Sequence, residues 1–269
     1  MNSVGQHELP QWRGEPALLG VFLDAGLTLV RARTPLADIL REVAGDTAHD
    51  GVEGELLRVP RLVQRHLDER WHDESTWLTE KGVRKLFVEA YTDALAEQPM
   101  LTRERAQEIA NQSYDAYQDP KHWAAFDDVT PALEALRERD IVTGVISDWG
   151  HGLEAILLEL ELGHLLDFMV VSSRMRVSKP DPHVFNLALA RAGLRPANAI
   201  HIGDSYKKDV LGARAAGISG ILLDRTRQFG ATSGSTGGLE LRDGTLPAAD
   251  CPVVRSLLEM LPLVGVEQS

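Results

Sequence analysis

The chain has 269 residues, of which 43% are hydrophobic, so it can bury a substantial core as one large domain or as a core domain with a smaller one inserted. Its formal net charge of −12 argues against nucleic acid or an anionic membrane as a partner, because either would require a basic surface. The lone Cys251 cannot form an intramolecular disulfide, the N-terminus lacks a secretory pattern and no apolar run reaches the roughly 18 residues of a membrane span, so we expect a cytoplasmic protein.

The first predicted element is a buried strand in "LLGVFL", residues 18–23, which ends at the carboxylate of Asp24. The following stretch, 35–118, is rich in Leu, Ala, Glu and Arg and has helical spacing in "VRKLFVEAYTDALA" and "ERAQEIANQSYDAY". It contains no convincing strand. We therefore predict an all-helical domain over 35–118, inserted after the first strand into a core formed by 1–34 and 119–269.

From about residue 130 onward, strands and helices alternate. The predicted strands are "IVTGVISD", "DFMVVSS", "AIHIGD" and "SGILLDR", and the predicted helices are "PALEALRER", "LEAILLELEL", "DPHVFNLALARAG" and "KKDVLGARAAG". Near-continuous apolar strands separated by helices indicate an α/β fold with a doubly wound parallel sheet, whose ligands bind beyond the carboxyl ends of the strands. Beyond the last of these strands, "GATSGSTGG" is a predicted loop and "VVRSLLEML" a predicted terminal helix.

Polar residues are predicted at four strand ends. They are Asp24, then Ser147 with Asp148, then Lys179 in "SKPDPHVF", and then Asp204 and Asp209 in "HIGDSYKKD". Strands that lie side by side would bring these residues to one rim of the sheet. Three carboxylates close together repel one another, and either a divalent cation, which favours oxygen ligands, or the charge of Lys179 can hold them.

The order "LDAGLT", "VISD", "SKPD" and "GDSYKKD" resembles the four signature motifs of the haloacid dehalogenase-like hydrolase superfamily, with the helical insertion resembling a first-position cap. The resemblance implies a Rossmann-like core, a Mg²⁺ cofactor and a small phosphorylated substrate, and it indicates no oligomeric state. It assigns catalytic roles to Asp24, Ser147 and Lys179, phosphate-binding roles to Ser147, Asp148 and Lys179, and metal-ligand roles to Asp24, Gly26, Asp204 and Asp209. Among the residues that receive no such role, we expect Lys207 and Lys208 to be solvated and His201 to be a core residue.

Gly26 departs from the family's phosphatases, which usually have a second aspartate two positions after the nucleophile. That aspartate protonates the leaving oxygen and then deprotonates the attacking water. General acid–base catalysis typically contributes about 10²–10⁴-fold, so a phosphatase with glycine here should be slow on alkyl phosphates, or should act on a leaving group that needs little protonation, such as an acyl phosphate or pyrophosphate.

Three interpretations follow from this departure. The chain is a weak or specialised Mg²⁺-dependent phosphohydrolase, a catalytically silent or repurposed homologue that binds a phosphorylated ligand or a protein partner, or an enzyme of carbon–halogen or carbon–phosphorus chemistry. Dehalogenases of the superfamily usually carry an aromatic hydroxyl where this sequence has Phe185, and they lack the acidic residue found here as Asp204. The phosphohydrolase is therefore the preferred interpretation.

Overall fold

The computed structural model describes residues 17–45, 58–70, 73–99, 101–225 and 251–266. In chain order, the strands of these residues are β1 (Gly20–Leu23), β2 (Val30–Ala32), β3 (Trp123–Ala125), β4 (Val142–Ser147), β5 (Phe168–Val171), β6 (Ala199–Gly203), β7 (Ser219–Leu223) and β8 (Val253–Val254). Six of them form a parallel sheet in the order β5-β4-β1-β6-β7-β8. This order, with β1 in the interior and β4 and β6 on either side, confirms the predicted doubly wound α/β fold.

Helices account for most of the remaining described chain. They are α1 (Leu36–Ala44), α2 (Val59–Arg70), α3 (Glu80–Ala96), α4 (Arg103–Tyr117), α5 (Val129–Arg137), α6 (Leu153–Glu159), α7 (Ser172–Met175), α8 (Pro182–Ala192), α9 (Gly212–Ala215) and α10 (Leu257–Met260). Several begin where the sequence supplies a cap: the Asp181 side chain accepts a hydrogen bond from the His183 N–H, and Pro182 fits the first turn of α8. None of the described helices is long and apolar enough to cross a membrane.

Strand β1 is buried on both faces, which explains its continuous apolar sequence. Val21 and Leu23 belong to the larger apolar cluster on one face, and Phe22 belongs to a second cluster on the other. Leu23 is in register with residues of both neighbouring strands, so the chain leaves the middle of the sheet at Asp24.

Helices α1 to α4 and the 3₁₀ helix Glu74–Leu78 that precedes α3, which together we call the helical block, have an apolar cluster of their own. Its buried members include Leu40, Leu86, Leu95 and Ile109. The block lies within the range predicted to be helical, and the division of the chain at 34/35 and 118/119 stays a prediction.

Three local features differ from the sequence-based expectations. Strands β2 and β3 form an antiparallel ribbon at the two ends of the helical block; at three residues each, they are too short to show an alternating pattern. The predicted terminal helix "VVRSLLEML" is wrong in its first part, because Val253 and Val254 pair with β7 and the helix begins only at Leu257, after the Ser256 cap. The predicted helix "KKDVLGARAAG" contains a π-helical turn, Tyr206–Leu211, before α9. The predicted loop at 230–238 lies outside the described residues.

Candidate active site

Asp24 is fixed at the carboxyl end of the central part of the sheet. Its backbone N–H donates to the carbonyl of Ile202, 2.9 Å away, so the chain is still tied to β6 where the side chain leaves the strand. The carboxylate accepts a hydrogen bond from Lys179 Nζ at 2.6 Å and is 9% exposed. Burial raises the pKa of Asp24, and the neighbouring Lys179 charge opposes that shift.

Lys179 lies between two carboxylates. Its Nζ is 2.6 Å from an oxygen of Asp24 and 2.6 Å from an oxygen of Asp209, and its side chain is 3% exposed. Burial alone would lower the pKa of Lys179, but the charges of Asp209, Asp24 and Asp148 outweigh burial and raise it. The side chain is therefore a fully charged ammonium.

Asp209 is held by donors on both of its carboxylate oxygens. Oδ1 faces Lys179 Nζ and also His201 Nε2 at 2.9 Å, and Oδ2 accepts from the backbone N–H of Ser205 at 2.9 Å. Burial would raise the pKa of Asp209, but Lys179 and His201 together hold it well below its usual range. A Cβ atom on Gly203 would overlap this carboxyl group, which explains why a glycine precedes Asp204.

Of the four predicted metal ligands, the three that would bind through their side chains lie close together. Oxygen atoms of Asp24, Asp204 and Asp209 are all within 4.8 Å of one another. An all-carboxylate donor set suits Mg²⁺, which prefers oxygen ligands and is usually bound through one or two carboxylates together with water and substrate phosphate. The residues present therefore fit the ion that the family resemblance implies, and the part of the Gly26 carbonyl in that site stays a prediction.

Ser147 is the last residue of the neighbouring strand β4, and Asp148 follows it. Ser147 pairs in register with Val171 of β5 and is buried, so its backbone position is fixed by the sheet. The Asp148 carboxylate has two protein donors: the backbone N–H of Lys179 at 3.0 Å and Nζ of Lys208 at 3.0 Å. This places Lys208 in the site.

Lys207 and Lys208 differ in environment, contrary to the expectation that both are solvated. Lys207 is exposed, whereas the Lys208 side chain is only 13% exposed and its Nζ lies 4.7 Å from the centre of the Trp77 ring. The sequence contains no signal that distinguishes these adjacent lysines. His201 is buried as expected, but it also bonds Asp209, and that role was missed because the two residues come together only in the folded chain.

The space next to Gly26 is occupied by the indole ring of Trp149. A Cβ atom built on Gly26 would lie 3.1 Å from Cζ3 of that ring, closer than ordinary van der Waals contact. Trp149 packs edge-to-face on Trp123, with ring centres 4.9 Å apart, and Nε1 of Trp123 donates to the carbonyl of Tyr117. The Trp149 ring therefore occupies the space that a side chain at position 26 would need.

The helical block contacts the loops that carry these residues. The carboxylate of Glu80, the first residue of α3, accepts a hydrogen bond of 2.6 Å from the backbone N–H of His151, just beyond Trp149. The carbonyl of Glu74 accepts one of 3.3 Å from the hydroxyl of Ser178. Residues 74–80 of the block thus lie over the rim of the sheet.

Comparison with known proteins identifies relatives of this chain. The family model described as haloacid dehalogenase-like hydrolase matches residues 11–217. "Haloacid dehalogenase-like hydrolase domain-containing protein 3" of Mus musculus is 30% identical over 200 residues, covering 73% of this chain and 78% of the mouse protein. The Danio rerio protein of the same name is 38% identical over 117 residues, which cover 44% of this chain and 48% of the relative.

Other relatives have more specific names. "Phosphoserine phosphatase" of Thermus thermophilus is 28% identical over 123 residues, covering 45% of this chain and 48% of the relative. The chain thus spans about half the length of this phosphatase and of the Danio rerio protein. Among solved structures, a putative HAD-hydrolase of Bacillus subtilis matches with a TM-score of 0.68 at 13% identity, covering 93% of this chain and 100% of the other, which is a likeness of fold.

Proposed function

Because the chain belongs to the haloacid dehalogenase-like hydrolases, we propose that it is a Mg²⁺-dependent phosphatase that acts on a small phosphorylated metabolite through an aspartyl-phosphate. The observation that carries the proposal is the buried Asp24 carboxylate, held by Lys179 beside two further carboxylates at the end of β1. The name of the Thermus thermophilus relative, a phosphoserine phosphatase, supports the release of phosphate from a small molecule as the reaction.

The proposed chemistry has two steps at Asp24. A carboxylate oxygen attacks phosphorus while the bond to the leaving oxygen breaks and its electron pair departs with the leaving group. Water then attacks phosphorus, the bond from phosphorus to the Asp24 oxygen breaks to restore the carboxylate, and phosphate leaves while a proton of the water passes to solvent. Lys179 supplies a fixed positive charge beside the nucleophile, and the Ser147 hydroxyl donates a hydrogen bond to the phosphoryl group. When bound by Asp24, Asp204 and Asp209, Mg²⁺ would offset negative charge between nucleophile and phosphoryl oxygens.

Asp148 supports this site indirectly in our proposal. Both of its oxygens accept hydrogen bonds from the protein, so its carboxylate orients the backbone of Lys179 instead of contacting phosphate itself. A carboxylate in direct contact with the phosphate of the substrate would repel it.

Gly26 restricts the leaving group. With no carboxyl group at position 26 and with Trp149 packed against it, the leaving oxygen must depart without protonation from this position. The favoured substrates are those whose leaving groups are stable as anions, such as acyl phosphates, pyrophosphates or aryl phosphates.

The test is Mg²⁺-dependent phosphate release over a panel of alkyl phosphates, aryl phosphates, acyl phosphates and pyrophosphates. Asp24→Asn is the control, because it removes the nucleophile while keeping an oxygen that can accept the Lys179 hydrogen bond. We expect release from activated phosphates that exceeds this control and stops on chelation. Wild-type protein that releases no more phosphate than Asp24→Asn from any substrate would overturn the proposal and favour a ligand-binding homologue.

A further inference from the structure

Asp148 carries a negative charge next to a site that is proposed to bind an anion. Its side chain is 6% exposed, so water screens that charge poorly. Three more carboxylates, Asp24, Asp204 and Asp209, cluster at the same rim. A phosphate group that enters this site requires the charge of Asp148 to be compensated.

Lys208 provides that compensation in the structure. Its Nζ is 3.0 Å from Asp148 Oδ2, and its backbone N–H donates to the hydroxyl of Ser205 at 3.2 Å. The π-helical turn Tyr206–Leu211 carries both Lys208 and Asp209, so it places one residue against Asp148 and the other against Lys179. An extra residue in a helical turn of this kind changes the direction of neighbouring side chains.

The helical block holds Lys208 from the other side. The indole ring of Trp77 lies 4.7 Å from Nζ, within the range of a cation–π contact, and Trp77 is 2% exposed and packs edge-to-face on Phe87. Lys208 is therefore enclosed between a core carboxylate and an aromatic ring of the block, and it is not a lysine that reaches into solvent.

On the basis of the proposed function, we propose that Lys208 is a positioning residue. Its ammonium neutralises the charge of Asp148 and so allows a phosphate group to bind at this rim. Asp148 in turn holds the backbone of Lys179. The pair Asp148–Lys208 acts as one neutral unit, and the affinity of the site for phosphate depends on both members.

The experiment compares Lys208→Met with Lys207→Met, which removes the same charge from an exposed neighbour. Binding of inorganic phosphate in the presence of Mg²⁺ is measured by calorimetry, and KM and kcat are measured on p-nitrophenyl phosphate. We expect Lys208→Met to weaken phosphate binding and raise KM by roughly tenfold or more, with a smaller effect on kcat, because an unpaired buried charge remains. Lys207→Met should change both quantities less than about threefold, as surface charges do.

A second substitution distinguishes neutralisation of Asp148 from a purely structural role of Lys208. Adding Asp148→Asn to Lys208→Met removes the charge that Lys208 compensates, so the double variant should regain most of the phosphate affinity, and it remains testable if Lys208→Met alone does not fold. A folded Lys208→Met protein that binds phosphate as Lys207→Met does, or a folded double variant whose phosphate affinity stays about tenfold or more below that of Lys207→Met, would overturn the inference. Calorimetric rescue without turnover of any substrate would support Lys208 while contradicting the phosphatase proposal.

Discussion

Replacing Gly26 with aspartate would restore the carboxyl group that related phosphatases use as an acid and a base, but the structure places an obstacle there. The new Cβ would lie 3.1 Å from the Trp149 ring, so the indole must move by a few tenths of an ångström. A Trp149→Leu substitution would remove this contact. The informative set of proteins is therefore Gly26→Asp, Trp149→Leu and the double variant.

Two opposing effects determine how much Gly26→Asp changes the rate of turnover. A general acid and base contributes about 10²–10⁴-fold to rate. Overpacking beside an existing side chain typically costs about 1–3 kcal/mol, and if all of it opposed the reaction, the rate would fall by between about fivefold and 150-fold. We therefore expect Gly26→Asp alone to raise turnover of alkyl phosphates about tenfold, and the double variant to raise it by about 10²–10³-fold, since the pocket was not shaped for this side chain.

The assay follows both chemical steps. Values of kcat/KM, which report the first step, should depend steeply on the pKa of the leaving group in the wild type and less steeply in the double variant. Rapid mixing with p-nitrophenyl phosphate should show a burst of phenolate in the wild type, because water attacks the aspartyl-phosphate slowly without a base. The burst should shrink when the carboxylate introduced by Gly26→Asp supplies that base.

A folded double variant with the wild-type rate, the wild-type burst and an unchanged dependence on the leaving group would show that a carboxylate at position 26 supplies neither acid nor base in this site. Trp149→Leu alone is the matched control, because it removes the indole without adding a carboxyl group. A rate gain in that variant equal to the gain in the double variant would likewise assign the effect to space and not to proton transfer.

Asp24→Asn should abolish phosphate release and leave the thermal midpoint near that of the wild type; turnover that persists in it would place the activity at another site. Lys179→Met should lower the free energy of unfolding by about 3–5 kcal/mol in urea titrations, because the buried carboxylates of Asp24 and Asp209 lose the ammonium they share, and an unchanged midpoint would contradict that ion-pair network. Gly203→Ala should reduce turnover at least about tenfold although no functional group is removed, because the added methyl displaces Asp209, so wild-type kinetics in this variant would argue against the packing described here. Calorimetry should detect Mg²⁺ binding that weakens in the Asp24→Ala, Asp204→Ala double variant, whereas binding of undiminished strength would exclude these carboxylates as ligands.

The sequence was most informative where burial is complete. Strands β1, β4 and β6 are apolar runs in the sequence because helices cover both faces of a parallel sheet, and the polar residues after such strands must meet at one edge. Asp24, Ser147 and Asp209 could therefore be brought together from their positions in the chain alone.

Features that depend on a distant partner could not be predicted in this way. Val253 and Val254 form a strand because β7 presents an open edge to them, and two residues show no periodicity of their own. The environment of Lys208 is set by a π-helical turn and by Trp77, which lies far earlier in the chain. Adjacent lysines with identical chemistry thus acquire different environments only when the chain folds.

The antiparallel ribbon of β2 and β3 has a consequence for how the chain is assembled. Val30 faces Ala125 and Ala32 faces Trp123, so the points where the chain departs for the helical block and returns from it are hydrogen-bonded neighbours. A short turn would be enough to close that gap, as in an ordinary hairpin. The chain therefore leaves the core and re-enters it at adjacent points, so the order of strands in the six-stranded sheet does not depend on the length of the chain between β2 and β3.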